Sequence, residues 1–496
     1  MNAIKQLAGQ TAIYGLSSIV PRLLNYLLVP FYTRIFLPEV YGIVTEMYAY
    51  VAFLIIILTY GMETGFFRFA AGEKDLNKVY STCLVSLFIT SFTFVVIVII
   101  NAQTIANILQ YHEHREYIVW FGIILGIDAF MTIPFAWLRQ NNKPIQFSII
   151  KIINVCINIG LNLFFLVLCP KIISTNPQSF LSILSVERIG VGYVFISNLI
   201  ASLITLVLVL PIIIKVKLKI DLKLLKRILM YSTPLLVAGF AGTINEMLDR
   251  VLLKHLLPDY VNPMEQLGLY GANIKIAVLM ILFIQMFRYA AEPFFFKHAK
   301  EKDSKVLFAE VTKYFIIFGL IIFLGIMMYI DIVKFFIGEK YRSGLNIVPI
   351  LLMANLFLGI FYNLSIWYKI NNITKYGAYL ALFGAGITIT LNILFIPKIG
   401  YIASAWAHLI CYIFMVVLSY LWGRKIYRIP YKIGRFFIYI GCALILYYLS
   451  LLNKNNMLCV KLIINSVLFI SFIVIVLIKE KGLLNIIRNK RKAEKV

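Results

Sequence analysis

Long apolar runs alternate with short polar breaks from one end of the chain to the other. The first seven runs cover 9–36, 40–67, 79–107, 117–138, 144–169, 188–214 and 228–249. The next seven cover 267–295, 311–337, 344–368, 374–397, 400–422, 433–452 and 457–478. A helix needs about 20 apolar residues to cross a hydrocarbon core of roughly 30 Å. The pattern therefore predicts an all-α polytopic membrane protein of about fourteen transmembrane helices. At about 22 residues per helix, roughly 12 residues remain for each connection or tail. That leaves no room for a separate catalytic domain, and no enzyme is expected.

Composition agrees. Of the 496 residues, 61% are hydrophobic and 14% charged, against about 45–50% and about 25% in soluble domains. An ordinary cytosolic enzyme and a disordered chain are both excluded. The net charge of +25 would suggest nucleic acid in a soluble protein. Here it fits basic loops held on the cytoplasmic side and attracted to anionic lipid.

The distribution of basic residues gives an orientation. Lys215, Lys217, Lys219, Lys223, Lys226 and Arg227 lie between spans 6 and 7. Arg424, Lys425, Arg428, Lys432 and Arg435 lie between spans 12 and 13, and the tail after span 14 is basic as well. The alternate loops are sparse, with Lys398 alone between spans 11 and 12. Both termini are expected in the cytoplasm, and the first span is expected to act as an uncleaved insertion signal. The six scattered cysteines include no Cys-x-x-Cys and are expected to be packing residues, with no disulfide framework and no metal. No Gly-x-x-x-x-Gly-Lys-Ser/Thr motif is present, so no ATP motor is expected within the chain.

The two halves match. Tyr41-Gly42 and Tyr270-Gly271 are 229 residues apart, and at the same offset Glu63 matches Glu292 and Arg68 the basic Lys297. At an offset of 230, Trp137 matches Trp367, Arg139 matches Lys369, Asn141-Asn142 matches Asn371-Asn372, and Asn162 matches Asn392. At 210, Ile189-Gly190 matches Ile399-Gly400. The change in offset falls in the loop between spans 5 and 6, where insertions are tolerated. Two six-helix lobes inserted the same way up are expected, at 1–227 and 228–432. Residues 433–496 add a terminal helix pair and basic tail. Parallel repeats of this kind are a transporter plan, with substrate held between the lobes.

The segment Tyr32-Thr33-Arg34-Ile35-Phe36-Leu37-Pro38-Glu39-Val40-Tyr41-Gly42 resembles the polysaccharide flippase family of the multidrug/oligosaccharidyl-lipid/polysaccharide exporter superfamily. So do Gly61-Met62-Glu63-Thr64-Gly65-Phe66-Phe67-Arg68, Asp249-Arg250 and Gly268-Leu269-Tyr270-Gly271. The resemblance in layout covers nearly the whole chain. It implies export of polyprenyl-diphosphate-linked oligosaccharide, such as O-antigen or capsule repeat units, to the outer leaflet of a bacterial inner membrane. It also implies a monomer, with polysaccharide polymerases as possible partners. A lipid II flippase and a cation-coupled multidrug exporter share the fold and stay open. A polytopic glycan polymerase or ligase is a reading from a different class, but it needs larger outside loops than this chain has.

Such a substrate has a hydrated anionic head that cannot cross hydrocarbon unaided. Arg22, near the middle of span 1, is a candidate ligand for it, with Asn25 and Tyr26 one turn on. Its guanidinium fork suits a diphosphate; the alternative is an ion pair with Asp128. Lys275 lies about 12 Å into span 8, at the repeat position of Glu46, and the two either pair or divide anion and cation handling. Asn154, Asn158 and Asn162 make one polar face of span 5, lining a cavity or joining helices. Arg288 either joins the cavity or pairs with Glu292 four residues on. Asp128 and Glu46 are candidates for a coupling H⁺ or Na⁺. No other cofactor is expected. His408 reads as a packing residue, and His112-Glu113-His114 does not have the spacing of a zinc site.

Overall fold

A computed structural model describes residues 20–480 except 22, 71, 72, 74, 177–189, 259, 300 and 454–456. Arg22 therefore lies outside the described residues. Among the described residues all regular structure is helical. Thirteen segments are long and apolar enough to cross a membrane. They correspond to the second through fourteenth predicted runs, and the first run is described only from residue 20 onward. This is an all-α polytopic fold.

The chain divides into two units, Met1–Ala272 with Ala385–Ser404, and Asn273–Gly384 with Ala405–Val496. In unit 1, α1 (Leu28–Ile35), α2 (Pro38–Thr59) and α3 (Met62–Ala70) are followed by α4 (Leu76–Ile100) and the short α5 (Ala102–Ile108). Then come α6 (Arg115–Gln140), α7 (Pro144–Leu163), α8 (Cys169–Thr175), α9 (Gly192–Ile214) and α10 (Leu222–Leu256). α4 packs along α6, α9 packs on α6 and α7, and α10 lies against α2. Phe66, Tyr80, Leu84, Leu87, Ile133 and Ile228 are core residues of this unit.

α11 (Pro263–His298) begins in unit 1 and continues in unit 2. α12 (Ser304–Met328), α13 (Ile330–Val333), α14 (Val348–Leu364) and α15 (Ile366–Ile370) follow. α16 (Lys375–Ile399) and α17 (Tyr401–Ile426) precede the terminal pair α18 (Ile433–Leu452) and α19 (Leu458–Lys479). In unit 2, α12 packs against α14, α18 and α19. Lys313 of α12 holds Glu480 at 2.6 Å, and Asp331 of α13 pairs with Lys461 of α19.

Local signals explain several element ends. Pro38 starts α2, where its fixed φ and missing N–H cost nothing. Asp75 and Asp221 cap α4 and α10 by accepting backbone N–H bonds. Tyr60 and Gly61 are both left-handed and separate α2 from α3. Helices continue through Pro134, Pro234 and Pro293. α10, at 35 residues, is roughly 52 Å long and overshoots a bilayer core of about 30 Å. The apolar pattern predicted only 228–249, because it stops at charged residues that helices at a membrane interface readily carry. Three cysteines, Cys83, Cys169 and Cys411, are buried as expected, but Cys156 and Cys459 are exposed on helix surfaces and correct that expectation.

The sequence repeat is also a repeat of local geometry. Asn142 and Asn372 both take left-handed φ, at 53° and 56°. In both, the next residue's N–H reaches five residues back, from Lys143 to Leu138 and from Ile373 to Tyr368, closing the same helix-ending motif. Asn141 and Asn371 each donate to the tryptophan carbonyl four residues earlier. Glu63 pairs with Arg139 in unit 1, and Glu292 pairs with Lys369 at 2.6 Å in unit 2. Gly190 and Gly400 share left-handed φ, at 54° and 60°.

The matched Tyr-Gly pairs meet within unit 1. A Cβ on Gly42 would lie 2.2 Å from the Met264 carbonyl oxygen, and one on Gly271 would lie 2.3 Å from Thr45 Oγ1. One on Gly268 would lie 1.8 Å from the Pro38 carbonyl oxygen. The start of α2 and the start of α11 thus approach backbone to backbone, which only small residues allow.

Candidate functional site

Unit 1 carries a set of polar side chains on its membrane-spanning helices. On α7, Asn162 is fully buried and uses both ends of its amide. Its Nδ2 donates to the Asn158 carbonyl at 2.8 Å, and its Oδ1 accepts from the Tyr32 hydroxyl at 2.8 Å. Asn154 Nδ2 donates to Thr205 Oγ1 on α9 at 2.9 Å. These two asparagines join helices. Asn158 differs: it is half-buried, and its Nδ2 lies 3.5 Å from Oδ1 of the exposed Asn25. The polar face expected from sequence is thus one array, with Asn25 and Asn158 at its open end.

Asp128 on α6 lies on the same α9 neighbour, accepting from Ser202 at 3.0 Å, one turn before Thr205. Among the described residues, the cation that acts on it is Lys151 of α7. Lys151 lies one turn before Asn154 and sets its ammonium 4.1 Å from the Phe135 ring centre. Sequence reasoning passed over this residue, although a lone lysine inside Ile149-Ile150-Lys151-Ile152-Ile153 is the usual mark of an intramembrane site.

Glu46 is held in an ion pair. It is fully buried: the Tyr50 hydroxyl donates to its Oε1 at 2.9 Å, and Lys254 Nζ, at 3.1 Å, and the Tyr111 hydroxyl both donate to its Oε2. Lys254 also donates to the Leu109 carbonyl at 2.6 Å and covers the Tyr111 ring. The ion partner of Glu46 is therefore Lys254. That residue escaped notice because the apolar run ended five residues before it, inside the same helix.

In unit 2, Arg288, Glu292, Lys369, Tyr362, Asn363 and Ser365 line a narrow cleft with about 10 Å³ of free volume. Glu292 is closer to Lys369 than to Arg288, at 2.6 Å against 3.7 Å. The Arg288 guanidinium lies 4.2 Å from the Tyr362 ring centre, and its Nε has no hydrogen-bond partner among the described residues. Thr59 is its repeat mate, so the second copy adds a guanidinium beside a pair that both copies have. Lys275 is half-buried on α11 in unit 2. His408 is 8% exposed and packs with the Tyr412 ring, as expected.

The model of the polysaccharide biosynthesis protein family matches residues 7–299, more than half of the sequence. The chain belongs to this family. Among solved structures, the fold is similar to "Lipid II flippase MurJ, inward closed conformation", with a TM-score of 0.71 and 16% identity, covering 95% of this chain and 100% of that one. It is also similar to the inward-facing conformation of a multidrug resistance MATE family transporter of the MOP superfamily, with a TM-score of 0.63 and 13% identity, covering 84% and 97%. No curated protein matches the sequence. The protein is thus a polysaccharide biosynthesis family member on a multi-pass fold found in a flippase and in drug transporters.

Proposed function

We propose that the protein moves a polyprenyl-diphosphate-linked oligosaccharide from the cytoplasmic to the outer leaflet of a bacterial inner membrane. The family match over residues 7–299 carries this reading. Alternating access of two lobes, 1–227 and 228–432, is the mechanism, and both termini lie in the cytoplasm. Arg22, Lys151, Lys275 and Arg288 supply cationic groups for the diphosphate, while Asn25 and Asn158 bond the sugar. With the interior negative, outward movement of an anion is downhill by about 2.3 kcal/mol per charge per 100 mV. Membrane potential alone then suffices, and H⁺ or Na⁺ exchange at Asp128 is an addition. O-antigen and capsule units are the candidate cargo.

Similarity to a lipid II flippase favours one second reading, the peptidoglycan precursor on the same class of carrier. The test is depletion in the native cell, followed by mass spectrometry of extracted lipids. Build-up of a complete lipid-linked repeat unit, relieved by wild type but not by Arg22→Ala, is expected. Build-up of lipid II would select the second reading. No build-up, with raised sensitivity to cationic drugs, would reject both.

A further inference from the structure

The segment joining α9 to α10 alternates lysine with apolar residues, Lys215-Val216-Lys217-Leu218-Lys219-Ile220. It runs without helix from Lys217 to Asp221 and borders a groove of about 870 Å³. Lys78, Lys215, Lys217, Lys219 and Lys223 line that groove with Asp75 and Asp221. Asp221 is engaged by Lys78 at 2.6 Å and by the start of α10. The other four lysines form no ion pair among the described residues. The buried Ser81 fixes the segment by donating to the Lys219 carbonyl at 2.7 Å or the Lys217 carbonyl at 3.1 Å. The groove is therefore a shaped cationic surface on a pinned backbone.

A soluble anion would need only the lysines. The same segment also exposes large apolar side chains, Leu218 at 56% and Leu222 at 70%, with Ile214 at 74% at the end of α9. Because α9 and α10 are both membrane spans, their junction sits at the membrane boundary. Lysines interleaved with outward leucines at that level fit a phosphate head group with its acyl chains below. We infer that this groove binds the head group of an anionic phospholipid in the leaflet it faces. The inference is independent of which substrate the protein transports.

The test uses the full-length protein in nanodiscs of equal phosphatidylglycerol and phosphatidylcholine, with retained lipid read by native mass spectrometry. Wild type is expected to retain phosphatidylglycerol selectively. At about fivefold per lysine, Lys217→Gln with Lys219→Gln should lower that retention roughly 25-fold. Arg424→Gln with Lys425→Gln, at the basic end of α17, should leave it unchanged. Leu218→Ser with Leu222→Ser keeps every charge and should also weaken retention, which guards against misfolding of the lysine variant. Equal retention of phosphatidylcholine, an equal loss in the Arg424/Lys425 variant, or displacement of the lipid by inorganic phosphate would each overturn the inference.

Discussion

Lys254 shows what a buried charge demands. Its side chain is 4% exposed and that of Glu46 is 0% exposed, so removing either leaves the other desolvated without a counter-charge. Lys254→Met is expected to destabilise the fold by about 3–5 kcal/mol, and Lys254→Met with Glu46→Gln to recover much of that loss. A thermal melt in detergent followed by size-exclusion chromatography reads both. If Lys254→Met melts like wild type, the pair does not hold this part of unit 1 together. Lys151 makes the opposite demand, since its role is proposed to be chemical. Lys151→Met should abolish transport while Lys151→Arg retains it, with the folding of each variant checked in the same melt. Asp221 adds a pH dependence. The hydrogen bond from Lys78, helped by the Leu224 N–H, holds its carboxyl down to about 2. A depressed folded pKa gives stability that is complete above about pH 4 and lost as pH falls. The stability gap between wild type and Asp221→Asn should therefore be constant above about pH 4 and close on approach to about pH 2.

At the scale of elements, the helices were largely legible because a membrane span must be apolar over its whole length. The segment 433–452 coincides with α18, and 457–478 differs from α19 by one residue at each end. What stayed hidden was carried by charges at span ends. Lys254 lay beyond the predicted end of its helix although it is helical, and with it the partner of Glu46. The repeat was legible in paired residue types, but its geometric content was not. Nothing in sequence said that Glu63 would meet Arg139 as Glu292 meets Lys369. Because the second copy uses lysine at this position, Arg139→Lys should be nearly neutral and Arg139→Gln destabilising, as read in the same melt. The crossing of α2 and α11 tolerates no added carbon. Gly268→Val is expected to cost at least about 1–3 kcal/mol, since its neighbour is the Pro38 backbone rather than a movable side chain. A melting temperature equal to wild type would show that the two helix starts are not held this closely.

For the whole molecule, two features bear on transport. The family assignment ties the chain to polysaccharide biosynthesis, and the fold is one found in transporters. On the proposed function, cationic side chains within membrane helices would supply what an anionic, sugar-bearing lipid head requires in place of water. The most direct measurement is translocation by the purified protein in vesicles containing a polyprenyl-diphosphate oligosaccharide, with an impermeant glycosidase outside. The account predicts that the inner-leaflet glycan becomes cleavable in vesicles holding wild type, faster with the interior negative, and stays protected with Arg22→Ala or in empty vesicles. Glycan that stays protected with wild type, in vesicles where the protein is shown to be folded, would contradict it.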